Sequence, residues 1–278
     1  MALKLMYITN RPEIAEIAEN AGVDRIFVDL EYIGKELRQK GMDTVKNRHQ
    51  IEDVAMLKKS LKKADVLARV NPIHDATSEY SSSKEEIDGV IKAGADYVML
   101  PYFKTVAEVK DFIEYVDGRT KTVLLVETPE AVEIIDELLE MDEIDEFFVG
   151  LNDLSLGYGK KFMFELLADG TVENLTEKFR KKGVFFGFGG IAALGKGMLP
   201  AEYIIREHYR LKSKAVILSR SFCNTEIETD LDKIREIFET GLKDIRILEE
   251  KCENHEFDFE ENKKQLDEKI KMIRDGIR

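Results

Sequence analysis

The sequence predicts an α/β protein folded as a (β/α)8 barrel of the TIM type with extra C-terminal helices. Eight short apolar runs recur along 278 residues, and amphipathic stretches with helix-terminus signals separate them. The length is comfortable for one such barrel, and its core can form without staples. The runs are LKLMYI (3–8), RIFVDLE (25–31), DVLARVN (65–71), DYVMLPYF (96–103), TVLLVET (122–128), EFFVGLND (146–153), VFFGFGGI (184–191) and KAVILSRS (214–221). Each is nearly continuous in Val, Ile, Leu and Phe, as expected of strands buried on both faces of a parallel sheet.

The intervening stretches carry helical periodicity. PEIAEIAENAG opens on Pro12 and closes on Gly22, the expected asymmetry of helix ends. IEDVAMLKKSLKKA, SKEEIDGVIKAGA, TVAEVKDFIEYV and PEAVEIIDELLEM place apolar residues on one helical face. Ser83 and Thr105 are candidate N-caps, and Thr128-Pro129 sets another before a first-turn proline. An open doubly wound sheet is the alternative. It lacks support at the first turn, where Ile8-Thr9-Asn10-Arg11-Pro12 stands in place of a GxGxxG element.

Two segments exceed the repeat. One is the charged connection 32–50, long enough to suggest a functional loop or a solvated insertion. The other is the charged, helix-patterned C-terminus. The expected organisation is a barrel over 1–228 with 229–278 as a helical extension of the same domain. This extension is read as an arm on a neighbouring subunit or as a solvated tail. A homo-oligomer is the expectation.

A net charge of −13 argues against non-specific nucleic-acid binding and against attraction to an anionic membrane surface. Cys223 and Cys252 form neither a disulfide framework nor a CxxC pattern. The N-terminus lacks a signal-peptide core, and no apolar run is long enough for a bilayer. Together these features predict a cytoplasmic protein.

Barrel active sites sit at the C-terminal ends of the strands, so the polar residues closing each run are informative. Asp29 and Glu31 close the second, Arg69 and Asn71 the third, Glu127 the fifth, and Asn152 and Asp153 the sixth. Glu127 and Asp153 fall at adjacent strand ends. Two carboxylates there repel unless a cation lies between them, and oxygen ligands suit Mg2+, Mn2+ or another divalent ion. The competing reading makes both residues helix caps. Arg69 interrupts an apolar strand, either as a bidentate clamp for a substrate carboxylate or as a salt-bridge partner of Asp29 or Glu31.

At these residues the chain resembles the HpcH/HpaI aldolase and citrate lyase beta-subunit family. The resemblance is carried by VETPEAVEIIDELLEMDEIDEFFVGLNDLSLGYG (126–159), VDLEY (28–32), ARVNP (68–72) and VMLPYF (98–103), and it extends over about 15–224. It implies that Glu127 and Asp153 hold a divalent metal and that the ligand is a pyruvate-like 2-oxo acid. Arg69, with Asp29 and Glu31 beside it, would stabilise an enolate during carbon–carbon cleavage or formation. Backbone N–H groups from Asp153 and Leu154 would help to bind the carboxylate. Aldolases of the family carry a histidine where Tyr32 stands here, and His49 in the nearby loop is the candidate substitute. An acyl-CoA lyase of the citrate-lyase type and a non-catalytic barrel binding a metal–oxo acid complex remain as alternatives. The glycine-rich 187–197 lacks phosphate-loop spacing, and Lys104 is a candidate imine lysine of lesser weight.

Overall fold

A computed structural model describes residues 2–35 and 49–277. The middle of the long connection, 36–48, lies outside the described residues. Eight parallel strands close in sequence order: β1 (Lys4–Ile8), β2 (Arg25–Asp29), β3 (Asp65–Arg69), β4 (Tyr97–Leu100), β5 (Lys121–Val126), β6 (Glu146–Val149), β7 (Phe185–Ile191) and β8 (Ala215–Leu218). β8 pairs back onto β1, with Met6 opposite Ile217. The predicted (β/α)8 barrel is the observed fold, and the open-sheet alternative is excluded by that closure.

Alternation along the strands divides the core in two. Met6, Phe27, Leu67, Met99, Val123, Leu125 and Phe148 fill the barrel interior. Their neighbours, such as Ile26, Val28, Val66, Val98 and Leu124, pack outward against the helices. Gly187 belongs to the inner set, and there a Cβ would lie 2.5 Å from the Ala215 carbonyl oxygen. At the N-terminal end Arg25 closes the interior with a bidentate bond to Glu146, both N···O distances being 2.6 Å. The Tyr97 ring lies 3.9 Å from the guanidinium carbon. A buried ion pair at this end of a barrel serves architecture, because the chemistry belongs to the opposite rim.

The helices follow their sequence signals. α1 (Pro12–Ala21) ends at Gly22, whose φ of 109° is the left-handed conformation of a C-cap. α2 (Ile51–Ser60) follows the long connection. α3 (Ser83–Ala93) is capped by Ser82 in a capping box with Glu85, one residue before the expected Ser83. Ser83 is instead the first helical residue, and its hydroxyl accepts a 2.8 Å bond from the His74 N–H. α4 (Val106–Val116) carries the expected Thr105 cap. The segment after β5, predicted as one helix, forms α5 (Pro129–Glu133) and α6 (Ile135–Leu138), separated at Ile134 with ψ 4°. The hydrogen bonds continue across this bend, from Ile134 N–H to Glu130 and from Leu138 N–H to Ile134.

α7 (Leu151–Gly157), α8 (Glu165–Ala168), α9 (Thr171–Lys182) and α10 (Ala201–Leu211) complete the outer layer with the two C-terminal helices, α11 (Leu231–Glu253) and α12 (Phe259–Gly276). α11 packs on α1 and α10, where an eighth barrel helix belongs, while α12 lies on α10 and α8. Ile234, Phe238, Leu242 and Ile245 of α11 and Leu266 and Ile270 of α12 are buried within the chain. The C-terminal segment is therefore neither an outreaching arm nor a solvated tail, and it supplies no argument for assembly. Among the described residues no helix is long and apolar enough to cross a membrane.

His208 on α10 is fully buried, stacked on Phe188 with ring centroids 3.7 Å apart, and its Nδ1 lies 2.9 Å from the Ser213 hydroxyl. Burial pushes its pKa down to about 3. The folded protein thus keeps the ring neutral where the unfolded chain already binds a proton. This group should cost about 1.4 kcal/mol of stability for each pH unit below about 6.5, until the folded form also titrates. Urea midpoints measured between pH 7 and pH 5 should show a shallower acid-side loss in His208→Phe than in the wild type.

Candidate active site

The C-terminal rim surrounds a cavity of about 480 Å³. Strand parity decides which side chains enter it. Glu127 continues the inward series Val123 and Leu125, Asp29 continues Phe27, and Arg69 continues Leu67. All three line the cavity with Asp153, which follows β6 in the first turn of α7. At the C-terminal rim, charged side chains thus enter the interior at the last inward positions, as Arg25 and Glu146 do at the opposite end.

Asp29, Glu31, Arg69 and Lys35 form one ion cluster. Arg69 Nε donates to Asp29 Oδ1 at 2.9 Å, and its Nη2 lies 3.4 Å from Glu31 Oε2. Lys35 Nζ donates to Asp29 Oδ2 at 2.7 Å and lies 3.6 Å from the same Glu31 oxygen. Asp29 and Glu31 are only 1% and 2% exposed, so neither is solvated in the ordinary way. For Asp29, burial opposes ionisation, but Arg69 and Lys35 outweigh it and hold the carboxyl well below its usual range. For Arg69, burial disfavours the cation, and Asp29, Glu31 and the more distant Glu127 overcome this and keep it charged. The salt-bridge reading of Arg69 is thus realised, while its side chain still faces the cavity.

Glu127 is 4% exposed, and its Oε1 accepts the Tyr102 N–H at 3.1 Å. It does not cap α5, because the Thr128 hydroxyl accepts from the Ala131 N–H in that role. Asp153 is 7% exposed and accepts a 3.0 Å bond from the Asn152 side-chain amide. Gly150 closes the gap between β5 and α7. A Cβ there would lie 2.8 Å from both Glu127 Cβ and Oε2. Gly150→Ala should therefore displace the Glu127 carboxylate without altering any charge. On the expectation that Glu127 holds a divalent metal, Mn2+ titration followed by electron paramagnetic resonance should show affinity lowered by about 10–100-fold, the scale seen when a ligand's support is disturbed.

Three sequence expectations change here. Leu154 is fully buried, and its N–H bonds within the helix to the Gly150 carbonyl at 3.2 Å, so it has no donor to offer a ligand. His49, the candidate substitute for the family histidine, is 6% exposed and is not among the residues that line the cavity. Its Nδ1 accepts the Asp29 N–H at 3.0 Å, so it supports Asp29 from behind. The Tyr32 hydroxyl donates to the His49 carbonyl oxygen. Lys104 is paired with Glu130 at 2.9 Å on the exposed surface and does not line the cavity. Gly189 and Gly190 of the glycine-rich run form part of the wall.

Lys35 was missed in the sequence because it sits in a charged loop with no periodic signal. The loop after β8 also brings Arg220, Asn224, Thr225 and Glu226 to the rim. Tyr7 of β1 holds that loop, donating its hydroxyl to the Cys223 carbonyl at 3.0 Å.

The sequence model of the HpcH/HpaI aldolase/citrate lyase family matches residues 4–184, well over half of the chain. The chain belongs to the HpcH/HpaI aldolase/citrate lyase family. Membership places it with lyase-type enzymes and agrees with the resemblance read from 126–159 and the three shorter motifs. Solved structures with the same fold include an HpcH/HpaI aldolase from Desulfitobacterium hafniense DCB-2, at 17% identity over 84% of this chain and 93% of that one, TM-score 0.54. An HpcH/HpaI aldolase/citrate lyase family protein from Burkholderia cenocepacia J2315 is similar at 13% identity, over 84% and 95%, TM-score 0.61. The citrate synthase SbnG is similar at 14% identity, over 84% and 94%, TM-score 0.57. These identities speak to a shared barrel alone. No curated protein sequence matches this HpcH/HpaI chain.

Proposed function

We propose that the protein is a divalent-metal-dependent carbon–carbon lyase acting on a pyruvate-like 2-oxo acid. One observation carries the reading: Glu127, Asp153 and Arg69, from three different strand ends, line one rim cavity. Among the described residues no group of three or more Asp, Glu, His or Cys is arranged to hold a metal. Two carboxylates with the remaining positions left to water and substrate nevertheless fit Mg2+ or Mn2+, which are commonly held this way. Glu127 and Asp153 would be the protein ligands. When bound, the ion would act as a Lewis acid toward the carboxylate and 2-oxo oxygens of the substrate.

The chain's own residues supply the rest. Arg69 offers a fixed cationic fork to a carboxylate or to the charge that develops on the enolate oxygen. Asp29 holds that fork through Nε, and Glu31 steadies it from the other side. Leu125 and Phe148 form an apolar floor that limits water at the reacting carbons.

The test is deuterium uptake at the pyruvate methyl, followed by NMR with Mn2+ or Mg2+ and with chelator. Exchange that requires metal supports the lyase. Metal-dependent pyruvate binding without exchange would mark a non-catalytic barrel. Exchange only with an acyl-CoA substrate would move the assignment to the citrate-lyase type.

A further inference from the structure

Lyase chemistry through an enolate needs a group that moves a proton to and from C3 of the 2-oxo acid. Among the described residues, most protic side chains at this rim are committed elsewhere. Arg69 is held charged by Asp29 and Glu31. The Tyr7 and Tyr32 hydroxyls donate to backbone carbonyls, and His49 stands behind Asp29. Asp29 is held ionised. Glu226 and Arg220 are exposed at the outer rim.

Lys35 differs from all of these. Its residue is 9% exposed, its Nζ is fixed by Asp29 Oδ2 and lies near Glu31 Oε2, and it lines the cavity beside Arg69. A lysine amine, unlike a guanidinium, can give up its proton and recover it. We propose that Lys35 is the proton carrier of this site. The assignment rests on the lyase reading above.

The step balances without any added reagent. The enolate π pair forms a new C3–H bond while an N–H bond of the Lys35 ammonium breaks, leaving pyruvate and a neutral amine. Water then returns a proton to the amine. In reverse, the amine takes a methyl proton and the C–H pair enters the C2–C3 π bond. Asp29 and Glu31 are the carboxylates that face the Lys35 ammonium, at 2.7 and 3.6 Å. Among the described residues, Arg69 nearby, Glu127 and Asp153 across the cavity, Tyr7 and Cys223 in its wall, Glu226 and Arg220 at the rim, and His49 behind Asp29 are the other charged or titratable groups around it.

The full-length protein with Mn2+ and pyruvate tests this directly. Lys35→Arg preserves the charge and its ion pairs but removes the titrating amine, so pyruvate binding, read from water-proton relaxation, should persist. Methyl deuterium exchange should fall by about a hundredfold or more. Lys35→Cys followed by aminoethylation restores a less basic amine and should restore exchange, with the pH profile displaced to lower pH. Cys223 and Cys252 are 3% and 1% exposed, and burial pushes both thiols up to about 11, so alkylation should favour the introduced thiol. Wild-type exchange rates in Lys35→Arg, or an unmoved pH profile after aminoethylation, would overturn the assignment. Wild-type protein that binds Mn2+ and pyruvate but does not exchange would also overturn it while leaving the metal site standing. Protein that binds neither would overturn the lyase reading beneath it.

Discussion

Glu127→Gln is expected to lower metal-dependent exchange of the pyruvate methyl by on the order of a thousandfold, the scale of losing a group that stabilises developing charge. The substitution is nearly isosteric. Its side-chain carbonyl can still accept the Tyr102 N–H that now bonds Glu127 Oε1 at 3.1 Å. The chain around it should therefore stay folded, and a thermal melt should resemble that of the wild type. What changes is one formal negative charge facing the cavity, which weakens any divalent cation held with Asp153. Mn2+ paramagnetic resonance should show the loss of affinity independently of turnover. Glu130→Gln is the control: that carboxylate is about half exposed, is paired with Lys104, and should leave both readings unchanged. Unaltered exchange in Glu127→Gln would remove the basis for a metal held at this rim.

Arg69→Met is expected to abolish pyruvate binding and also to destabilise the fold. The guanidinium contacts Asp29 and Glu31, which are 1% and 2% exposed. Removing one partner of a buried ion cluster typically costs about 3–5 kcal/mol, and Lys35 should keep the loss near the lower figure. The pH dependence carries a definite sign. Asp29 has a depressed carboxyl pKa in the folded state, so its contribution is complete above the unfolded value of about 3.9. It is lost progressively as the pH falls below that value. The stability gap between wild type and Arg69→Met should accordingly be widest above about pH 4 and narrow in acid. Denaturant midpoints at a series of pH values measure this, and a gap independent of pH would show that Arg69 does not hold Asp29 ionised. Arg69→Lys keeps the charge without the fork. It should recover much of the stability and little of the binding.

Much of the site was legible before any coordinates. Glu127, Asp29 and Arg69 each sit an even number of residues beyond an inward-facing apolar residue, so alternation alone directs them into the barrel. The pairing of Arg69 with Asp29 followed from adjacent strands. By contrast, nothing in the sequence around Tyr32 or His49 reveals that the tyrosine hydroxyl bonds the histidine backbone, or that the imidazole supports Asp29. The same holds for Leu154, whose N–H looked available at a helix start but lies one residue too deep. The helix has already supplied it with the Gly150 carbonyl.

The order of elements, their β/α alternation, and the positions of Glu127, Asp153 and Arg69 at strand ends were determined by the sequence alone. Apolar periodicity and cap chemistry act between near neighbours in the chain. The membership of Lys35 in the rim cluster, the retreat of His49 behind Asp29, and the packing of the two C-terminal helices onto their own barrel were decided only by the tertiary structure. Charge pairing and the covering of apolar faces depend on distance in space, and the closing of the barrel brings together segments that are remote along the chain.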